Sequence, residues 1–236
     1  MKVPCRIVAE VLDRLRAEVA PGVTTMDLEA IAISETKKRK AVPAFKGYAG
    51  YPYALCCSPN DRVIHGMPNA VSLQEGDILS LDFGVLYDDF YGDAALTLPV
   101  GAITDSAKAL LSATEAALYQ GIEQAVPGNR LYDISSAVQS YVESRGYSVV
   151  RDFVGHGIGK RLHEDPQIPN YGVAGRGLLL KPGMVLAIEP MVNAGSYAVR
   201  VLQDGWTAVT ADGALSAHFE HTVAVTEHGP EILTRR

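Results

Sequence analysis

The sequence is poor in cysteine, with three residues in 236: Cys5, Cys56 and Cys57. An odd number cannot pair evenly and sequence neighbours seldom bridge, which excludes a disulfide scaffold and fits a reducing compartment. Basic charge is in deficit, with 21 Lys and Arg against 27 Asp and Glu and a net charge of −6. The densest cationic run is the short KKRK at residues 37–40, which argues against nucleic acid as the main partner. Long apolar runs are missing as well. The longest stretch without charge or histidine covers residues 47–60 and is broken by Pro52 and Pro59, far short of the roughly 20 apolar residues of a spanning helix. The first residues, MKVPCRIVAEVLDRLRAEVA, alternate charges where a signal peptide needs an apolar core, so the chain is expected in the cytoplasm. What is present, 47 % hydrophobic and 20 % charged residues, suits a globular chain of one large domain or two small ones.

Ile7, Val8, Val11, Leu12, Leu15 and Val19 recur at helical spacing and stop at Pro21-Gly22, predicting an amphipathic helix. A second helix is predicted from Thr24-Thr25-Met26-Asp27, where a Thr hydroxyl and an acid three residues on can satisfy the first free amides. It runs to the lysines near residue 37, whose charge suits a helix C-terminus. From Thr104 the pattern returns. Leu110, Leu111, Leu118 and Ile122 mark a helix closed by Pro127-Gly128, and Ile134, Val138, Tyr141 and Val142 mark another ending at Gly146. A shift of 106 lays Pro21-Gly22 on Pro127-Gly128 and Asp27 on Asp133. A shift of 107 lays Leu73, Gly76, Ile78, Leu79, Leu81 and Asp82 on Leu180, Gly183, Val185, Leu186, Ile188 and Glu189. The agreement implies a duplicated helix, helix, strand-hairpin unit, with halves near 1–103 and 104–236 packed as one domain.

The repeat makes Asp82 and Glu189 equivalent, each an acid at the end of an apolar run, where burial costs several kcal/mol without a neutralising partner. Residues 82–93 read as a strand, a polar turn and a returning strand. A hairpin centred between Tyr87 and Asp88 would set Asp82 opposite Asp93, and two facing buried acids need a shared proton or a cation. Asp204-Gly205 and Asp212-Gly213 are hairpin-turn signals. After the second, Ser216, His218, Glu220 and Thr222 share one strand face, which points Glu220 the same way as the other acids. His156 lies in GHGIG, between glycines that allow close backbone approach and unusual dihedrals. Four carboxylates and one imidazole carry four formal negative charges, which two divalent cations would balance. Such a centre offers amide hydrolysis a bridging hydroxide and a Lewis acid for the carbonyl. The bland alternative has these acids capping turns or pairing with Arg and Lys, and the histidine as a satisfied core residue.

Several motifs then coincide: CCSPN at residues 56–60, VIHGMP at 63–68, Asp82 with Asp93 in FYGDAA, GHGIG around His156, LHEDPQIPNYG from Leu162, IEP around Glu189, DGWT around Trp206 and FEHT around Glu220. Together they resemble the type I methionine aminopeptidases over essentially the whole chain. The resemblance implies the pita-bread α/β (α+β) fold, two pseudo-symmetric halves around a curved antiparallel sheet. It also implies a two-metal centre of Asp82, Asp93, His156, Glu189 and Glu220, with Glu189 relaying the proton of the attacking water. His163 is similar to the residue that steadies the tetrahedral intermediate, and His65 to the one that contacts the substrate amide. The methionine pocket is implied at Phe45, Tyr48, Tyr51, Cys56, Leu162 and Trp206, since aromatic walls suit a thioether. Two positions depart from the pattern: Leu162, where a larger aromatic is frequent, and His218, where Gln is common. From its first residues the chain is expected to begin inside the usual first helix, without a zinc-finger or ribosome-docking extension.

The activity implied is removal of the initiator methionine from nascent polypeptides with a small second residue, by a monomer that works near the ribosome. Carboxylate ligands favour manganese or iron(II) while the intrinsic affinity order favours later ions such as cobalt or zinc; a monovalent cation is a further expected cofactor. A prolidase or Xaa-Pro aminopeptidase would share the five ligands but normally adds a large N-terminal domain. A non-catalytic peptide-binding relative would have lost some of them.

Overall fold

The computed structural model describes residues 1–235. Among these residues four α-helices are formed: α1 (Lys2–Arg16), α2 (Thr25–Lys38), α3 (Asp105–Glu123) and α4 (Leu131–Glu143). The capping signals act as expected. Thr24 accepts the Asp27 N–H at 3.1 Å while the Asp27 carboxylate takes the Thr24 N–H at 2.9 Å, and Thr104 caps α3 through the Ala107 N–H at 3.2 Å. The first helix is shorter than its periodicity suggests. It ends at Arg16, and the chain beyond turns back to the irregular segment at Leu73, where Gly22 donates to the Leu73 carbonyl at 2.8 Å.

The strands, in chain order, are β1 (Val42–Pro43), β2 (Leu55–Pro59), β3 (Arg62–Ile64), β4 (Ile78–Tyr87), β5 (Phe90–Pro99), β6 (Ser148–Val149), β7 (Gly155–Gly157) and β8 (Glu164–Ile168). They continue as β9 (Val185–Ile188), β10 (Met191–Asn193), β11 (Val199–Val201), β12 (Ala208–Thr210), β13 (Ser216–His218), β14 (Glu220–Thr226) and β15 (Gly229–Ile232). A nine-stranded antiparallel sheet runs β1-β4-β5-β14-β9-β7-β8, with β2 on β4 and β15 on β14. Two three-stranded sheets, β13-β10-β6 and β11-β12-β3, flank it.

Equivalent backbone bonds recur at the offset seen in the sequence. Leu73 donates to Val23 and Leu180 to Asn129, both at 2.8 Å, and the isolated bridges Thr24–Ser72 and Arg130–Leu179 correspond in the same way.

Alternation along the strands separates the two faces of the sheet. Leu81, Phe83 and Val85 of β4, Ala94, Leu96 and Leu98 of β5, Leu186 and Ile188 of β9, and Val223 and Val225 of β14 join one buried cluster with Leu12, Leu15, Leu28, Leu118 and Ile134 of the helices. Each such Val, Leu, Ile or Phe side chain contributes about 1.5–3 kcal/mol by leaving water. That side is sealed, so the intervening residues face the other side.

Candidate metal centre and substrate pocket

On that other face stand Asp82 of β4, Asp93 of β5, Glu220 at the start of β14 and Glu189 just after β9. The register corrects one expectation. The turn is centred between Asp88 and Asp89, both in the left-handed region at φ 49° and 62°, so Asp82 pairs with Ala95 and Gly84 with Asp93. The two acids are diagonal rather than directly opposed, but a slip of two residues keeps both on one face. The slip also has a use. Ala95 is the cross-strand partner of both Asp82 and Glu220, and Gly84 is the partner of Asp93, so the acids look across small residues into a hollow. A Cβ on Gly84 would come within 2.9 Å of the Phe45 ring and 3.2 Å of Asp93 Oδ1.

His156 arrives from β7, whose glycines permit close approach: a Cβ at Gly155 would overlap the Ala187 carbonyl oxygen, and one at Gly157 the Asp165 carbonyl oxygen. Unusual dihedrals are not involved, since neither glycine has a positive φ. The His156 Nδ1 lies 2.9 Å from the Gly157 carbonyl oxygen, which fixes its proton there and leaves the Nε2 lone pair facing Glu189 Oε1 at 3.5 Å. The other turn expectation is half met. Asp204-Gly205 closes the β11–β12 hairpin, whereas β12 and β13 on either side of Asp212-Gly213 pair with different strands. Ser216 and His218 are on β13 and Glu220 and Thr222 on β14, with Phe219 between the two strands, yet all four are buried.

The residues fit a metal centre on physical grounds. Ligand atoms of Asp93, His156 and Glu220 lie within 4.8 Å of one another. Asp82 Oδ1, Asp93 Oδ1 and Glu220 Oε1 are buried without a hydrogen-bond partner, a costly state for a carboxylate unless a cation compensates it. Burial raises the Asp82 carboxyl to about 7. Burial together with the neighbouring carboxylates pushes Asp93, Glu189 and Glu220 well above their ordinary range. Desolvation also lowers His156 to about 4, keeping it a neutral lone-pair donor.

A cavity of about 170 Å³ opens over these acids and is lined by all thirteen sequence-derived residues. Asp82, Asp93, His156, Glu189 and Glu220 form its floor. Phe45, Tyr51, Cys56 and Leu162 form a buried apolar cluster with Trp206 packed against it. Trp206 comes from the β11–β12 turn, where Asp204 Oδ1 accepts its backbone N–H at 2.9 Å, and its ring meets Tyr51 edge-on at 5.1 Å. The Tyr51 hydroxyl is spent on the Gly66 carbonyl at 3.0 Å. Tyr48, 42 % exposed, stands at the mouth beside His163. His65 sits edge-on to Phe153 and Trp206, and burial lowers it to about 4.

Three supporting residues carried no assigned role in the sequence. Thr222 binds the Asp93 backbone, Thr97 pairs with both backbone groups of His218 at 2.8 Å, and Asn170 donates to the Glu189 carbonyl at 3.1 Å. Thr222 and Asn170 lie inside or beside quoted motifs, which was the only signal available for them. His218 has both ring nitrogens buried without a hydrogen bond, and its Nε2 is 3.8 Å from Glu189 Oε2.

The curled antiparallel sheet with paired helices on one face and clustered acids on the other is the pita-bread architecture of a metallopeptidase. A match over residues 1–227 shows that the chain belongs to metallopeptidase family M24. Within that family it is 55 % identical to a methionine aminopeptidase of Clostridium perfringens, over 97 % of this chain and 92 % of that protein. It is 53 % identical to methionine aminopeptidase 1 of Bacillus subtilis, over 98 % of this chain and 93 % of that protein. The crystal structure of a methionine aminopeptidase from Thermotoga maritima superposes with a TM-score of 0.99 at 50 % identity, covering 100 % of this chain and 95 % of that one. A prolidase from Pyrococcus furiosus shares the fold, with a TM-score of 0.81 at 23 % identity, but this chain covers only 62 % of it. The aminopeptidase reading is therefore favoured over the prolidase one.

Proposed function

We propose that this chain removes the N-terminal methionine of polypeptides whose second residue is small. The observation that carries the reading is a cavity in which the acid cluster adjoins an apolar, aromatic wall. Asp82, Asp93, His156, Glu189 and Glu220 would hold two divalent ions, whose charge would compensate the buried, unpartnered carboxylate oxygens. Bound there, the ions would lower the pKa of a water and polarise the scissile carbonyl.

The protein's own groups do the rest. Phe45, Tyr51, Cys56, Leu162 and Trp206 take the methionine side chain, with Tyr48 closing the mouth. A sulfur near ring edges gains a few tenths to about 1.5 kcal/mol over simple burial. His65 holds the substrate amide. Glu189 accepts the proton of the attacking water and returns it to the leaving amine. His163 donates to the carbonyl oxygen as charge develops on it, a contribution realised only in the transition state. The chain is read as one domain of two halves, 1–103 and 104–236, working as a cytoplasmic monomer near the ribosome; the recurring backbone bonds support the halves.

The test is release of free methionine from Met-Ala-Ser, with Ala-Pro-Ser as control, by chelator-stripped protein given manganese, iron(II), cobalt or zinc. Metal-dependent methionine release with the proline peptide untouched is expected. Cleavage of the proline peptide alone, or of neither, overturns the reading.

A further inference from the structure

The Tyr48 hydroxyl lies 2.6 Å from His163 Nδ1, with the two rings 5.0 Å apart. Forming a pocket wall needs only the ring of Tyr48, so the hydroxyl calls for a separate account. The backbone holds it in place. Gly47 donates to the Tyr51 carbonyl at 2.7 Å and Tyr51 to the Tyr48 carbonyl at 2.9 Å. The turn passes through Ala49 at φ 47°, a left-handed conformation that costs a non-glycine residue roughly 1 kcal/mol. Among the described residues, His163 Nδ1 is the one hydrogen-bond partner of the Tyr48 hydroxyl.

A neutral imidazole carries one N–H and one lone pair, and the partner of one nitrogen decides which is which. A phenol is a far stronger acid than a neutral imidazole, so the Tyr48 O–H donates to Nδ1 and the ring proton resides on Nε2. We infer that Tyr48 is a positioning residue, whose hydroxyl locks His163 in the Nε2–H tautomer so that the ring offers the cavity a donor. The inference rests on the aminopeptidase reading, in which that donor meets the scissile carbonyl oxygen. In the opposite tautomer the ring would present a lone pair to an oxygen gaining negative charge.

Tyr48→Phe keeps the ring and removes only the hydroxyl. For the metal-loaded protein, kcat for methionine release from Met-Ala-Ser is expected to fall about 10- to 100-fold with KM within about threefold. In histidine-labelled, zinc-loaded protein, 15N spectra should show His163 protonated at Nε2, and Tyr48→Phe should convert it to a mixture of tautomers. Adding Tyr48→Phe to His163→Ala should cost nothing further, because the hydroxyl acts through the ring. An unchanged kcat, a loss confined to KM, additive losses in the double variant, or Nδ1 protonation in the wild type each overturns the inference. Failure of the wild type to release methionine overturns the functional reading instead, while the spectra still decide the tautomer.

Discussion

Thr222 grips Asp93 by its backbone: the threonine Oγ1 donates to the Asp93 carbonyl at 2.7 Å and accepts the Asp93 N–H at 3.2 Å. This one side chain ties β14 to β5 beside the acid cluster, joining strands that are more than 120 residues apart in sequence. Thr222→Val preserves shape but strands two buried backbone groups, so unfolding free energy should drop by roughly 2 kcal/mol in urea titration. Metal affinity, read by isothermal titration, should weaken with it because Asp93 loses its fixed position.

Gly155 is required by space. A methyl there would strike the Ala187 carbonyl oxygen, a backbone atom that cannot swing away. Gly155→Ala should therefore lower thermal stability and move His156, giving weaker metal binding than any loss expected from stability alone. Wild-type metal affinity in a folded Gly155→Ala protein would show that the strand tolerates the methyl.

Glu189→Gln separates chemistry from folding. Loss of the proton acceptor should reduce turnover of Met-Ala-Ser by about 10²- to 10⁴-fold. In chelator the same variant should melt at a higher temperature than wild type, because one of four mutually repelling buried carboxylates becomes neutral. Full activity would move the proton relay to another group.

The β4–β5 turn offers a change remote from the site. Asp88 and Asp89 are exposed and both have positive φ, the geometry in which Asp-Gly is favoured. Asp89→Gly should raise stability by about 1 kcal/mol or less and leave methionine release unchanged.

That turn also shows how far local reading extends. Polar residues near position 88 correctly announced a hairpin, but either of two centres satisfied the alternation. The choice fell to backbone geometry at Asp88 and Asp89, and it decided that Asp82 and Asp93 are diagonal neighbours across Ala95 and Gly84. The Asp212-Gly213 signal likewise marked a turn without saying which strands it would join. Thr222, Thr97 and Asn170 were unreadable as supports, because a buried hydroxyl or amide has no period and its partner lies elsewhere in the chain.

The sequence by itself determined the helices with their caps, the duplicated unit, the strand faces and the five candidate ligands. All of these follow from spacing within a few residues or from one offset repeated, and alternation sends every second side chain to the same face. Tertiary structure alone decided the contact of β5 with β14 that brings Asp93 to Glu220, and the meeting of Tyr48 with His163. Those depend on residues far apart in the chain, held by how the helices close one face of the sheet and leave the acids on the other.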